Sequence, residues 1–247
     1  MEAGDRCILR GENRQYLLSV LRMRKGQSLL LFDGKGSEYE AVIQEQDQES
    51  VELEITSKET IPVNGIKITL AQSLPKSKKM DFIIEKACEL GATRIIPFLS
   101  LRSVPHLGPE KTASKQLRWQ KIALEAARKS HSMSVPEVTN VLSFEDMLRS
   151  ADGRDMRIIF WEEETGKHLR QVLQLTDIEQ GRNFFLVVGP EGGFGREEIA
   201  LAERLGFTSV SLGKQVLKVE TASLAILSII QYEKGMFRPD IQNGGKL

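Results

Sequence analysis

Leu186-Val187-Val188-Gly189-Pro190-Glu191-Gly192-Gly193-Phe194 is a short apolar run, rich in β-branched residues, that breaks on Gly-Pro and then passes two adjacent glycines. Arg196-Glu197-Glu198-Ile199 opens a helical pattern directly after it. The reading is a buried strand, a tight turn and a helix, the arrangement in which α/β proteins hold a ligand at a strand's carboxyl end. Gly192 and Gly193 have no Cβ, so the backbone there can turn sharply and come close to a bound molecule. An ordinary βα turn asks for the same residues. What separates this one is its sequel: Val210-Ser211-Leu212-Gly213 reads as a second strand ending in glycine, and Lys214 to Ala222 leads from it into a long apolar helix.

Strand and helix patterns alternate upstream of this stretch. Ile66 to Ala71, Arg94 to Phe98, Arg157 to Trp161 and Phe184 to Val188 read as strands. Met80, Ile83, Ile84 and Ala87 form a helical stripe ending at Gly91, and residues 109–129 read as one long helix. Such alternation predicts a mostly parallel sheet with helices on both faces. The first 66 residues differ. Ser28 to Phe32, Tyr39 to Ile43 and Val51 to Ile55 are short strand-like runs, with a turn signal at Asp33-Gly34-Lys35-Gly36, as in a small barrel. Gln15 to Arg22 reads as a short helix before them. Ile61-Pro62-Val63-Asn64-Gly65 is the expected linker, and the polar, glycine-rich Met236 to Leu247 an expected frayed tail.

The 247 residues are 40% hydrophobic and 28% charged, the balance of an ordinary globular protein. No apolar run approaches the roughly 20 residues of a membrane span, and Met1 to Arg6 has no signal-peptide character. Cys7 and Cys88 lie far apart, and His106, His131 and His168 have no metal-ligand spacing, so neither a disulfide framework nor a metal is expected and a cytoplasmic setting fits. The zero net charge hides a division: residues 1–66 carry 8 basic and 12 acidic side chains, 67–135 carry 13 and 5, and 136–247 carry 13 and 17. A basic middle third predicts a localised face for a polyanion such as nucleic acid, unless it is simply a pair of solvated helices. Lys76, Lys78 and Lys79 crowd a helix start, where cations oppose the helix dipole unless an anion docks there. Lys111, Lys115 and Arg118 share one helix face. Lys76, Lys79, Arg102, Lys115, Arg118 and Arg128 are the expected contacts to nucleic-acid phosphates, although favourable placement at a helix end alone accounts for Arg128. Trp119 with Ile122, Ala123 and Ala126 has the spacing of a core stripe.

Gly189-Pro190-Glu191-Gly192-Gly193 and Leu212-Gly213…Leu217-Lys218-Val219-Glu220-Thr221-Ala222, together with Leu29 to Gly34, Arg118-Trp119 and Glu125-Ala126-Ala127, resemble the 16S rRNA (uracil-N3)-methyltransferase family of the SPOUT class. The resemblance runs over nearly the whole chain. It implies a PUA-like β-barrel domain over residues 1–66 that helps grip RNA. It also implies a SPOUT α/β domain over 67–247, a parallel sheet with a C-terminal trefoil knot. It implies S-adenosyl-L-methionine as cofactor, held by Gly189, Pro190, Glu191, Gly192, Gly193, Leu212, Gly213, Leu217, Thr221 and Ala222, and 16S rRNA of the small ribosomal subunit as substrate. Lys218 stands where the family usually has Arg, and an ammonium is a point charge without the planar fork of a guanidinium. Lys218 is the candidate catalytic residue, either stabilising the uridine anion or taking its proton. The Arg expected near Ser132 is missing, which bears on RNA gripping more than on the cofactor site. The alternative is a non-catalytic RNA-binding or ribosome-assembly protein on a degenerate SPOUT scaffold. Thr221 to Tyr232 is apolar around most of its circumference, so it is either wholly buried or meets a second copy. The resemblance implies the homodimer.

Overall fold

A computed structural model describes residues 1–34, 36–60, 66–77, 79–103, 109–130, 132, 134–174 and 183–233, without the side chains of 109–111. The expected linker, Lys78, the Lys111 side chain, His106, His131 and the Met236–Leu247 tail lie outside these residues. The chain divides into two compact units, Met1–Asn64 and Gly65–Leu247.

In the first unit, β1 (Arg6–Arg10), β2 (Ser28–Phe32), β3 (Ser37–Gln46) and β4 (Ser50–Thr60) form an antiparallel sheet in the order β1-β4-β3-β2. Its core takes alternate residues, Tyr39, Ala41 and Ile43 from β3 and Val51, Leu53 and Ile55 from β4, as a sheet with one packed face requires. β1 has no counterpart in the sequence reading. The helix expected at Gln15–Arg22 begins earlier: α1 covers Gly11–Gln15, a π-helical turn covers Tyr16–Val20, and Leu17 is buried against the sheet.

In the second unit, β5 (Ile68–Ser73), β6 (Arg94–Leu99), β7 (Glu137–Val138), β8 (Leu142–Ser143), β9 (Met156–Phe160), β10 (Phe184–Val188) and β11 (Thr208–Val210) form one parallel sheet. The order is β11-β9-β10-β5-β6-β7, with β8 pairing further along β6. The helices are α2 (Lys79–Glu89), α3 (Pro109–Lys129), α4 (Phe144–Arg149), α5 (Leu169–Gln174), α6 (Arg196–Arg204) and α7 (Val219–Glu233). β10 is buried at every position. Phe184, Leu186 and Val188 pack with residues of α2, α3 and α7 on one face, and Phe185 and Val187 with residues of α4 and α6 on the other. A continuous apolar run is what a strand covered on both faces needs. β5 begins at Ile68 rather than Ile66, and the strand expected to run to Gly213 ends at Val210.

α7 is pinned at both ends. Ser223 Oγ donates to Gln72 Oε1 at the end of β5 (2.6 Å), and Gln231 Nε2 donates to the Leu90 carbonyl after α2 (2.7 Å). Gly91 has φ +74°, and a Cβ there would collide with the Gln231 amide. Ile226, Leu227 and Ile230 are fully buried, whereas Ile229 is 39% and Tyr232 71% exposed. The apolar circumference is thus divided between the core and solvent.

Candidate active site

The parallel register brings three strand ends level, with Val188 of β10 and Val210 of β11 both paired to Phe160 of β9. Just beyond them lies a cavity of about 350 Å³, within the range of small-molecule sites. Its walls are Phe160 to Glu162, the turn after β10, and the segment from Ser211 to Val219, with Lys79 and Ala222 completing it. The two glycine-bearing loops therefore meet at one site. Of the expected cofactor residues, Gly189, Pro190, Glu191, Gly193, Leu212, Gly213, Leu217 and Ala222 line the cavity, as does Lys218. Gly192 and Thr221 do not. Phe160, Trp161 and Glu162 line it without having been singled out, their only signal being an aromatic pair and an acidic run at the end of a strand.

The turn after β10 is held from several sides. A Cβ on Gly189 would fall 3.0 Å from the Phe194 ring, which is buried beside Phe98 and Phe144. Gly193 has φ +65°, donates its N–H to the Pro190 carbonyl (2.9 Å), and has the Glu162 carboxylate where a Cβ would stand. Gly192 faces Arg102: its carbonyl accepts from Arg102 Nη1 (2.8 Å), and a Cβ would lie 3.2 Å from the Arg102 Cβ. Glu198 of α6, 4% exposed, accepts from the N–H groups of Gly195 (2.9 Å) and Leu101 (3.0 Å). That carboxylate satisfies a helix-start donor and ties the loop after β6 to the same turn.

Lys79 bridges Glu191 (3.0 Å) and Glu220 (3.2 Å), and Glu191 also accepts from the Lys76 N–H (3.1 Å). The anions seated at the start of α2 are thus the chain's own carboxylates, and they join α2, the turn and α7. Burial pushes the Glu191 carboxyl up, but hydrogen bonds from its own backbone, Lys79 and Lys76 outweigh that and hold it below the ordinary carboxylate range. Hydrogen bonds from the Lys79 ammonium, to Glu191 first and then Glu220, raise it above its ordinary value.

The opposite wall is loosely held. Gly213 has φ +124° and nothing within 4 Å of a Cβ, and Lys214, Gln215 and Val216 are exposed. Lys218 is exposed too, with its carbonyl accepting from Ala222 N–H at the start of α7 (2.8 Å).

Most of the expected RNA contacts have partners within the protein. Arg118 pairs with Asp81, Arg128 with Glu125 (2.8 Å), and Lys115 stands 5.6 Å from the Trp119 ring centroid. Trp119 is a core residue at 2% exposure. Lys79 and Arg102 are engaged as described above. Lys76 is exposed and contributes its backbone N–H.

Among the described residues, no helix is long and apolar enough to cross a membrane, and no group of three or more His, Cys, Asp or Glu is placed to hold a metal. Residues 62–231 match the family described as an RNA methyltransferase domain, and residues 9–56 an RNA methyltransferase PUA domain. The chain is 34% identical to the ribosomal RNA small subunit methyltransferase E of Bacillus subtilis, over 97% of this chain and 95% of that protein. It also resembles the crystal structure of a ribosomal RNA small subunit methyltransferase E from Neisseria gonorrhoeae bound to S-adenosyl methionine, with a TM-score of 0.82, 31% identity and coverage of 94% of this chain and 93% of that one. A methyltransferase structure from Legionella pneumophila in complex with bound SAM gives the same TM-score, identity and coverage. Family match, identity and fold agree, and the chain belongs to the ribosomal RNA small subunit methyltransferase E family.

Proposed function

We propose that this protein transfers a methyl group from S-adenosyl-L-methionine to N3 of a uridine in 16S rRNA, as a cytoplasmic homodimer acting on the small ribosomal subunit. The observation that carries the reading is the meeting of two glycine-bearing loops in one cavity at the carboxyl ends of β9, β10 and β11. Gly189 and Gly193 line that cavity and have no room for a Cβ beside Phe194 and Glu162, so glycine is what lets the turn take this shape at the cavity wall. The relative bound to S-adenosyl methionine supports the same cofactor here, with Gly189, Pro190, Glu191, Gly193, Leu212, Gly213, Leu217 and Ala222, which line the cavity, as its surroundings. Bound there, the cofactor supplies an electrophilic methyl carbon.

The chain's own task is alignment and charge. Lys79 fixes Glu191 and so the turn. Lys218, at the cavity wall, stabilises the charge left on the uridine when its N3 proton departs. Arg118 and Arg128 sit in exposed ion pairs, which are worth about 0–1 kcal/mol, so a phosphate can recruit them. α7 is reached from the sheet edge at β11 yet packs against β5 and α2, passing Lys167, whose carbonyl accepts from Ser211 N–H (2.8 Å). That course supports the trefoil knot. Ile229 and Tyr232 are the apolar surface offered to a second copy.

Calorimetry with S-adenosylmethionine and mass mapping of rRNA from a deletion strain test the reading; no heat of binding, or an unchanged rRNA, sinks it. Lys218→Met should lower kcat on the order of a hundredfold, with Lys218→Arg restoring most of it. A Lys218→Arg variant as inactive as Lys218→Met would make Lys218 the proton acceptor instead. Ile229→Asp should give a monomer by light scattering at micromolar concentration, and an unchanged dimer would place the interface elsewhere.

A further inference from the structure

The cations of the first unit are unevenly used. Arg6 pairs with Glu52, Lys58 with Glu2, and Arg14 donates to the Asp47 carbonyl. Among the described Arg and Lys side chains of that unit, those of Arg10, Arg22, Arg24 and Lys25 have no partner, and three of these fall within four positions. They share a loop that is fixed from inside. Leu17 is buried and Met23 packs on the same core, and Met23 N–H donates to the Leu17 carbonyl (3.0 Å). Arg24 N–H donates to Gln27 Oε1 (2.7 Å), and Gly26 N–H to the Ile43 carbonyl (2.8 Å). Arg22 is held at φ +54°, a left-handed conformation that side-chain-bearing residues seldom take. Beside these cations two large apolar residues stand in solvent, Val20 at 63% and Leu21 at 48% exposure.

We infer that the loop Val20–Lys25 is an RNA-docking surface, with Arg22, Arg24 and Lys25 on phosphates and Val20 and Leu21 against an unstacked base. The inference rests on the rRNA-modifying reading above. Three uncompensated cations within four residues match the closely spaced phosphates of a strand, and an adjacent apolar pair offers the face of a base something to cover. The unit's remaining surface favours a narrow polyanion over a broad one. With 12 acidic against 8 basic side chains in residues 1–66, a flat anionic membrane would bring repulsion with it, whereas a single strand can follow the loop alone. A rigid loop also binds with less ordering cost than a flexible one.

The test uses the full chain and a fluorescein-labelled single-stranded segment of small-subunit rRNA, followed by anisotropy across a salt series. Arg22→Ala/Arg24→Ala/Lys25→Ala should make the dependence of log affinity on log salt shallower by about two units, since a single strand loses about 0.7 per phosphate contact. Val20→Ser/Leu21→Ser should weaken binding about tenfold, the effect of one lost base contact, with the slope unchanged. Both variants should bind S-adenosylmethionine as the wild type does and keep its far-ultraviolet circular dichroism and melting profile, which shows that both units fold. A wild-type slope in the triple variant, or wild-type affinity in the double variant, would overturn the proposal. So would RNA binding that survives in the double variant while it loses self-association or binding to phosphatidylserine vesicles, since either result gives the surface to another partner. A wild-type chain that binds S-adenosylmethionine but no RNA fails the rRNA reading, and this proposal with it.

Discussion

The two walls of the cavity are built by opposite means. The turn after β10 is fixed by a buried aromatic ring, an arginine, a carboxylate capping α6 and a lysine between two glutamates. The segment from Gly213 to Lys218 has open space around its glycine and an exposed valine at its middle, Val216 at 84%. The first wall exists before any ligand arrives. The second makes few contacts with the rest of the protein, so it is the natural place for entry and release.

Gly189→Val should produce the largest effect, because its side chain must displace a ring that is itself wedged in the core. Overpacking of this kind costs about 1–3 kcal/mol, or roughly 2–12 °C in a domain of this size. Calorimetry should show cofactor affinity reduced more than tenfold. A Gly189→Val chain with native melting temperature and affinity would mean that the first wall is not rigid.

Lys79→Met should be milder, weakening the cofactor several-fold while leaving a folded protein, and its pH dependence is the sharper readout. Glu191 is held below the ordinary carboxylate range, so its contribution is complete above that range and is lost as pH falls through its lowered pKa. Removing Lys79 leaves the burial that pushes Glu191 up. The acid limit of cofactor binding should therefore move to higher pH in the variant. An acid limit identical to wild type would show that Lys79 does not hold the turn.

The smallest effect belongs to the second wall. Val216→Ser should change stability by no more than about 0.5 kcal/mol, as for any exposed site, read as a nearly unchanged melting temperature. In hydrogen exchange, the Lys214 to Leu217 amides should exchange fast in the free protein and slow on adding S-adenosylmethionine, while Gly193, bonded to the Pro190 carbonyl, should already be protected. Equal protection of both segments in the free protein would remove the contrast.

What the sequence reveals follows the range of the forces involved. α3 and β10 occupy the expected Pro109–Lys129 and Phe184–Val188 because local periodicity and the residues flanking each run set them. β1 is not legible, since Arg6-Cys7-Ile8-Leu9-Arg10 owes its strand to pairing with Glu54 to Ser50. β7 and β8, of two residues each, carry no periodicity at all. At the site, the glycines announce themselves, but the companions of Lys79 lie at positions 191 and 220. A reading of nearby residues sees only crowded like charges there and expects an outside anion. Glu198 and the Ser223–Gln72 bond escape for the same reason, each joining residues far apart in sequence.

The pairing of β5 with β10 has a consequence for how the protein comes into being. Residue 68 meets residue 184 at the centre of the sheet, and α7, ending at Glu233, fastens onto the end of that same β5. Closing so long a loop is the slow part of assembling such a topology. During synthesis, the β5 edge that β10 will cover must wait until the chain has grown from residue 68 to residue 184. Until α7 is made, a nascent chain has no complete cavity, so the capacity to bind a methyl donor arrives only once synthesis has passed residue 222.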